Sequence, residues 1–192
     1  KKNGILSLFP DASGIPAVTK SEEEKRICTY LTKLGVRYYY ERKYDYETAT
    51  LDKRQYKPDF TIVELDSEGN EHVVLYYEHF GIDKHGNVPK WFKDSSTGKW
   101  EEANRKYKNG ILWKMETHKE HNTNLMFTTS AEFRDGNNFY EILKQRLIEN
   151  GVSVKEIPNI QLFQYLVQRD KSLEKSVMNM CQAFVLLLKA NG

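Results

Sequence analysis

Cysteine is scarce in this chain. Among 192 residues there are two, Cys28 and Cys181, far apart and each inside a helical pattern. Two thiols make neither a disulfide framework nor a Cys-rich zinc site. One disulfide between them stays open, but reduced, buried thiols in a cytoplasmic protein are the expectation. Long apolar runs are also missing. Ala183 to Leu188 falls far short of the ~20 residues of a membrane-spanning helix, so no membrane partner is expected. Charge of one sign is not in excess: the formal net charge is +2, which excludes a histone-like or tail-driven polyanion binder. The first residues lack the charged, apolar, small order of a secretory leader, and Lys1 suggests an excised piece of a longer chain. No GxxxxGK[ST] phosphate loop is present, so no ATP-driven motor is expected in this piece. His118 and His121 lie three apart without a third and fourth zinc ligand.

What is present reads as one soluble α/β domain with a helical tail. Hydrophobic residues at 39% and charged residues at 29% fit a packed core in a water-facing shell. Residues 1–20, with Gly4, Pro10, Gly14 and Pro16, read as an irregular lead-in. Ser21 followed by three glutamates is a helix start, with Glu24 at the capping-box position. Ile27, Tyr30, Leu31 and Leu34 repeat at helical spacing until Gly35, predicting a helix over about 22–34. Strands are expected at Val36–Tyr44, from Phe60 to Leu65 and from Val73 to Glu78. The last two form a hairpin across the Asp66–Asn70 turn cluster, and the third strand is central. A long loop, Gly81 to Gly98, precedes a helix over about 100–120. A strand at Asn124–Thr129 and a helix at Phe139–Ile148, stopped by Asn150-Gly151, complete a core over 21–151. Residues 152–192 hold two amphipathic helices, Ile160–Gln168 and Ser172–Lys189. The order predicts a mixed central sheet flanked by helices.

Two carboxylates stand out. Asp59 follows Pro58, which forces an extended entry, and sits at the mouth of an apolar strand. Glu78 ends the next strand after a run of apolar and aromatic residues, where a lone charge is costly. A hairpin can bring the two together, and a divalent cation relieves the repulsion of paired carboxylates. Either residue alone reads as an ordinary turn or solvated acid; only the pair points to a metal.

The Pro58-Asp59 step, with Glu78 on the next strand, resembles the PD-(D/E)XK nuclease superfamily. Three segments narrow the resemblance to the nuclease-like domain of UvrD/Rep-type superfamily 1 DNA helicases: Tyr56-Lys-Pro-Asp-Phe-Thr-Ile, Tyr77-Glu-His-Phe-Gly-Ile-Asp and Trp113-Lys-Met-Glu-Thr-His. The tail Met180-Cys-Gln-Ala-Phe-Val-Leu-Leu-Leu-Lys resembles the segment that leads back into the helicase portion. The resemblance implies a restriction-endonuclease-like core (helix, three strands, helix, strand), a Mg²⁺- or Mn²⁺-dependent DNA nuclease, and helicase motor domains of the same chain as partners in DNA repair or processing. It implies Asp59, Glu78 and the backbone carbonyl of His79 as metal ligands, with Glu24 assisting through water. The family's lysine should stand at position 80, which is Phe80. Lys114 on the following helix is the candidate replacement, and His118, one turn on, a phosphate contact. Lys90 and Trp91 lie in a loop with two readings, a DNA-contacting flap or an ordinary surface loop. Without the lysine at position 80, a catalytically inactive DNA-binding or regulatory module is the alternative.

Overall fold

The computed structural model describes residues 4–51, 53–134, 138–170, 175–182 and 185. The chain divides into two compact units, residues 1–155 and 156–192.

The first unit is built on a four-stranded mixed sheet. Its strands are β3 (Tyr38–Tyr40), β4 (Phe60–Leu65), β5 (Glu71–Phe80) and β6 (Leu125–Thr129), in the order β3-β4-β5-β6. The first three run antiparallel, and β6 joins β5 in parallel. That parallel step needs a crossover, which the 81–99 loop and α2 (Trp100–Glu120) supply. β5 is central, as its near-continuous apolar run predicts. The expected strand over Val36–Tyr44 narrows to three residues, because Glu41 takes a positive φ of 51° and turns the chain out of the ladder.

The two faces of the sheet carry different cores. Phe60, Ile62, Leu75 and Tyr77 join Ile27, Cys28, Leu31 and Leu34 of α1 (Glu22–Lys33) and Leu143 and Leu147 of α4 (Phe139–Glu149) in one apolar cluster. On the opposite face, Tyr44, Tyr56 and Tyr76 pack with Trp113 of α2. Strand alternation therefore sorts the site: Tyr76 and Glu78 share one face, Tyr77 and His79 the other.

The ends of α1 follow from local chemistry. Ser21 Oγ accepts from the Glu24 amide, while the Glu24 carboxylate reaches back to the Lys20 amide. At the other end Gly35, at φ +66°, lets its own amide and that of Val36 donate to the Thr32 and Leu31 carbonyls. A side chain on Gly35 would strike the Lys155 carbonyl.

The lead-in is not irregular. Residues 5–19 form an antiparallel hairpin, β1 (Ile5–Pro10) and β2 (Pro16–Thr19). Both prolines sit at strand ends, where a missing N–H is tolerated. The inward face carries Ser7, Phe9, Ala17 and Thr19, while Leu6, Leu8 and Val18 face out. This inversion of the usual pattern hid the strands. A short helix, α3 (Ser130–Arg134), follows β6 directly.

The second unit holds α5 (Asn159–Arg169), and residues 175–182 are helical. Residue 185 is helical as well, and the rest of the expected helix, 172–174, 183–184 and 186–189, lies outside the described residues. Cys28 is buried and Cys181 exposed, and both thiols are free; the expectation of two buried thiols fails for Cys181. No helix among the described residues is long and apolar enough to cross a membrane.

Candidate metal and catalytic site

The β4–β5 ladder pairs Phe60 with Tyr77 and Thr61 with Tyr76. Continuing that register by one residue places Asp59 opposite Glu78. Both carboxylates are buried, Glu78 completely. Their proximity registers in the titration of Asp59, which is pushed up to about 7 by burial first and by the Glu78 charge second, against the pull of Lys114. Asp59 Oδ2 accepts from the His79 backbone amide at 2.9 Å. Thr61, next on this face of β4, keeps a buried hydroxyl without a hydrogen-bond partner among the described residues.

Glu78 is held from two sides. Tyr56 Oη donates to Oε1 at 2.6 Å, and Lys114 Nζ stands 2.5 Å from Oε2. Tyr56 lies three residues before Asp59, on the loop entering β4, and Lys114 comes from α2. The Tyr56 phenol is pushed above its ordinary range by burial and by the Glu78 carboxylate, so it stays a proton donor. Behind it lies His118, whose Nε2 is 3.2 Å from the same phenol and whose Nδ1 is 2.7 Å from Thr123 Oγ1. Asn122 takes a left-handed φ of 51° at the end of α2, so that the Thr123 amide returns to the His118 carbonyl. That closing turn brings the Thr123 hydroxyl onto the His118 ring. Burial, then Lys114 and His121, pull His118 down to about 4, so its ring is neutral at physiological pH.

The remaining expected residues are placed as follows. The His79 side chain points away from Glu78. Its Nδ1 lies 2.8 Å from Thr128 Oγ1 and its Nε2 2.9 Å from Glu23 Oε2. Glu23 also accepts from Ser130 Oγ and Arg134 Nε. Burial would raise Glu23, but the His79, Ser130 and Arg134 contacts overcome this and hold it at about 2. Glu24 accepts from Tyr40 Oη at 2.6 Å. The charges of Glu24 and Asp59 both raise Lys20 and Tyr107. His118 is buried with both nitrogens engaged, so it supports Tyr56 and Glu78 from behind and does not present a surface to phosphate. Lys90 Nζ lies over the Trp100 ring at 3.2 Å, and Trp91 is 71% exposed. The loop that carries them is tied down: the Val88 amide donates to Asn104, Trp100 Nε1 donates to the Val88 carbonyl, and Lys106 pairs with Asp94.

The donor set fits a divalent cation in its chemistry. Two buried carboxylates meet on a stiff sheet, and burial, then the charge of Glu78, forces Asp59 toward its protonated form. Lys114 supplies only part of that charge and competes for Glu78 Oε2. Among the described residues no group of three or more His, Cys, Asp or Glu side chains is placed to hold a metal. The charged oxygen donors at this point are therefore the two carboxylates alone.

The sequence alone assigns no role to Tyr56, Tyr107 or Lys20. Tyr56 belongs to the Tyr56-Lys-Pro-Asp segment, three residues from Asp59, and that is its one local signal. Tyr107 and Lys20 are related to Asp59 only through the tertiary fold. No family model, no curated protein and no solved structure matches this chain.

Proposed function

We propose that this chain is a Mg²⁺- or Mn²⁺-dependent deoxyribonuclease domain of the PD-(D/E)XK type, with a restriction-endonuclease-like core, belonging to a cytoplasmic UvrD/Rep-type DNA helicase. DNA as substrate, and helicase motor domains as partners, rest on the sequence resemblance. The observation that carries the chemistry is the convergence of Asp59, Glu78 and Lys114 at one end of the β4–β5 ladder.

Asp59 and Glu78, with the His79 carbonyl, are the residues that would hold the ion. The chemistry supplied by such an ion when bound is Lewis-acid stabilisation of charge on the scissile phosphate and acidification of water. The His79 amide fixes Asp59, and Tyr56 fixes Glu78, so both carboxylates are oriented before substrate arrives. Lys114 Nζ lies 5.5 Å from the centre of the Phe80 ring, which supports a part for it as the replacement lysine, donating to the attacking water and to charge developing on phosphorus. His118, held neutral, keeps Tyr56 in place.

The test is incubation of wild type, Asp59→Ala and Glu78→Ala with linear and circular DNA in Mg²⁺ and in Mn²⁺. Cleavage by wild type alone, with all three folded, supports the reading. A second reading, a catalytically silent DNA-binding module, draws on Phe80 at the position of the family's lysine. It predicts no cleavage with either metal and DNA binding that weakens steeply with salt.

A further inference from the structure

A cavity of about 390 Å³ lies between the start of α1, the 81–99 loop and α2, a volume within the range of small-ligand pockets. Asp59, Glu78 and Lys114 do not line it, so its content is separate from the proposed metal chemistry. Three aromatic residues do: Trp91, Phe92 and Tyr107. The Trp91 and Phe92 rings stand at 81° with centroids 6.1 Å apart, and the Phe92 and Tyr107 rings at 81° with centroids 6.2 Å apart. Two perpendicular rings at that spacing can both turn a face to one cation about 4.4 Å from each centroid, within the reach of a cation–π contact. The rings are held before any ligand arrives. Tyr107 Oη accepts from the Gly81 amide at 2.9 Å, and the Val88 and Trp100 bonds tie down the loop.

The charge of the lining is negative. Glu22, Glu23 and Glu24 face two cations, Lys20 and Arg134. Lys20 is paired with Glu41, which lies outside the lining, and Arg134 with Glu23. Glu22 has Lys25 at 3.5 Å, and its side chain is half exposed. Glu24 is buried, and among the described residues its carboxylate accepts only from neutral donors, the Lys20 amide and the Tyr40 hydroxyl. A buried carboxylate at the edge of an aromatic space favours a cation that carries apolar surface. An alkylated ammonium has that character: its charge is spread under methyl groups that pack on ring faces, whereas a hydrated metal ion must first give up water. We propose that this cavity binds a small organic ammonium ion, an amine alkylated to the quaternary state. Its methyl groups lie against Trp91, Phe92 and Tyr107, and Glu22 and Glu24 answer its charge.

The test uses choline as probe and needs neither DNA nor metal. Choline is titrated into the isotope-labelled full chain while the tryptophan indole N–H signals are followed by nuclear magnetic resonance. The Trp91 signal is the one lost in Trp91→Phe, and Trp113 serves as internal reference. The uncharged carbon isostere, with a tert-butyl group in place of the trimethylammonium head, is titrated in parallel. Choline should move the Trp91 signal saturably, and the isostere should bind about tenfold more weakly. Trp91→Phe should keep most of the affinity, whereas Trp91→Ala should lose about tenfold. Glu22→Gln should weaken choline severalfold and leave the isostere unchanged; the rest of each spectrum reports whether the variant is folded. No saturable shift at millimolar choline overturns the proposal, and so does equal binding of choline and isostere, which would mark a merely apolar slot. Tighter binding of a peptide with one trimethyllysine than of choline overturns the assignment to a small molecule and gives the pocket to a protein side chain. Since cleavage and DNA binding enter none of these outcomes, the pocket and the nuclease reading fail separately.

Discussion

Lys114 Nζ stands 2.5 Å from Glu78 Oε2 and reaches it from α2, not from the strand that carries the glutamate. The carboxylate is wholly buried, so this ammonium is its main compensating charge, with the Tyr56 hydroxyl as second partner. Lys114→Gln leaves a buried anion underpaired and should cost about 3 kcal/mol in urea denaturation without metal. Mn²⁺ should recover part of that loss, because a bound cation replaces the missing charge. The same variant should lose DNA cleavage even when Mn²⁺ has restored its stability. Unchanged cleavage would remove Lys114 from the mechanism.

Asp59 makes stability depend on pH in a direction opposite to that of most acids. Its folded pKa, about 7, lies above the ordinary 3.8. Its contribution is therefore complete below about pH 4 and lost as pH rises toward 7. Asp59→Asn keeps the acceptor for the His79 amide and removes the charge. Without metal it should be more stable than wild type at pH 8 by on the order of a few kcal/mol, with the difference closing at acid pH. Chemical denaturation across that range measures it. A less stable Asp59→Asn at pH 8 would show that burial and Glu78 do not strain the carboxylate.

Tyr56→Phe removes one hydrogen bond to a buried charge. A cost of about 2 kcal/mol is expected, with cleavage reduced because Glu78 loses its orientation. Isothermal denaturation gives the first number and initial rates the second. A neutral result in both would mean that Lys114 alone positions Glu78.

On the other face of β5, the Glu23–His79 contact and the Ser130 and Arg134 bonds hold Glu23 low, at about 2. A lowered acid contributes stability above its ordinary value of about 4.5, and that contribution is lost as pH falls toward 2. Glu23→Gln should cost about 1–2 kcal/mol at pH 7, after allowance for partial exposure, and nothing below pH 2. Acid denaturation followed by far-ultraviolet circular dichroism checks this.

The sheet was largely legible in the sequence because its signals are local. Pro58-Asp59, the Asp66–Asn70 turn and the apolar run before Glu78 announce β4, β5 and their pairing. Gly35 and Gly151 mark two of the helix ends at which the chain takes a positive φ. The β1–β2 hairpin was not legible, because Ser7 and Thr19 face inward and Leu6 and Val18 outward, and alternation was the only signal available. The pairing of Lys114 with Glu78 was open to inference, since the helix after β5 must cross that face to reach β6. The clamp on Glu78 by Tyr56, and the burial of His118 behind it, were not. Both depend on a loop and a helix end meeting across 62 residues of sequence.

The central claim is that Asp59 and Glu78 form one cation site, and isothermal titration of Mn²⁺ tests it most directly. Wild type, Asp59→Ala and Glu78→Ala are titrated in parallel, each with and without a non-cleavable oligonucleotide. The account predicts a binding event in wild type, strengthened by DNA, that disappears in both variants. No heat of binding in wild type under either condition, or binding that survives in either variant, would contradict it.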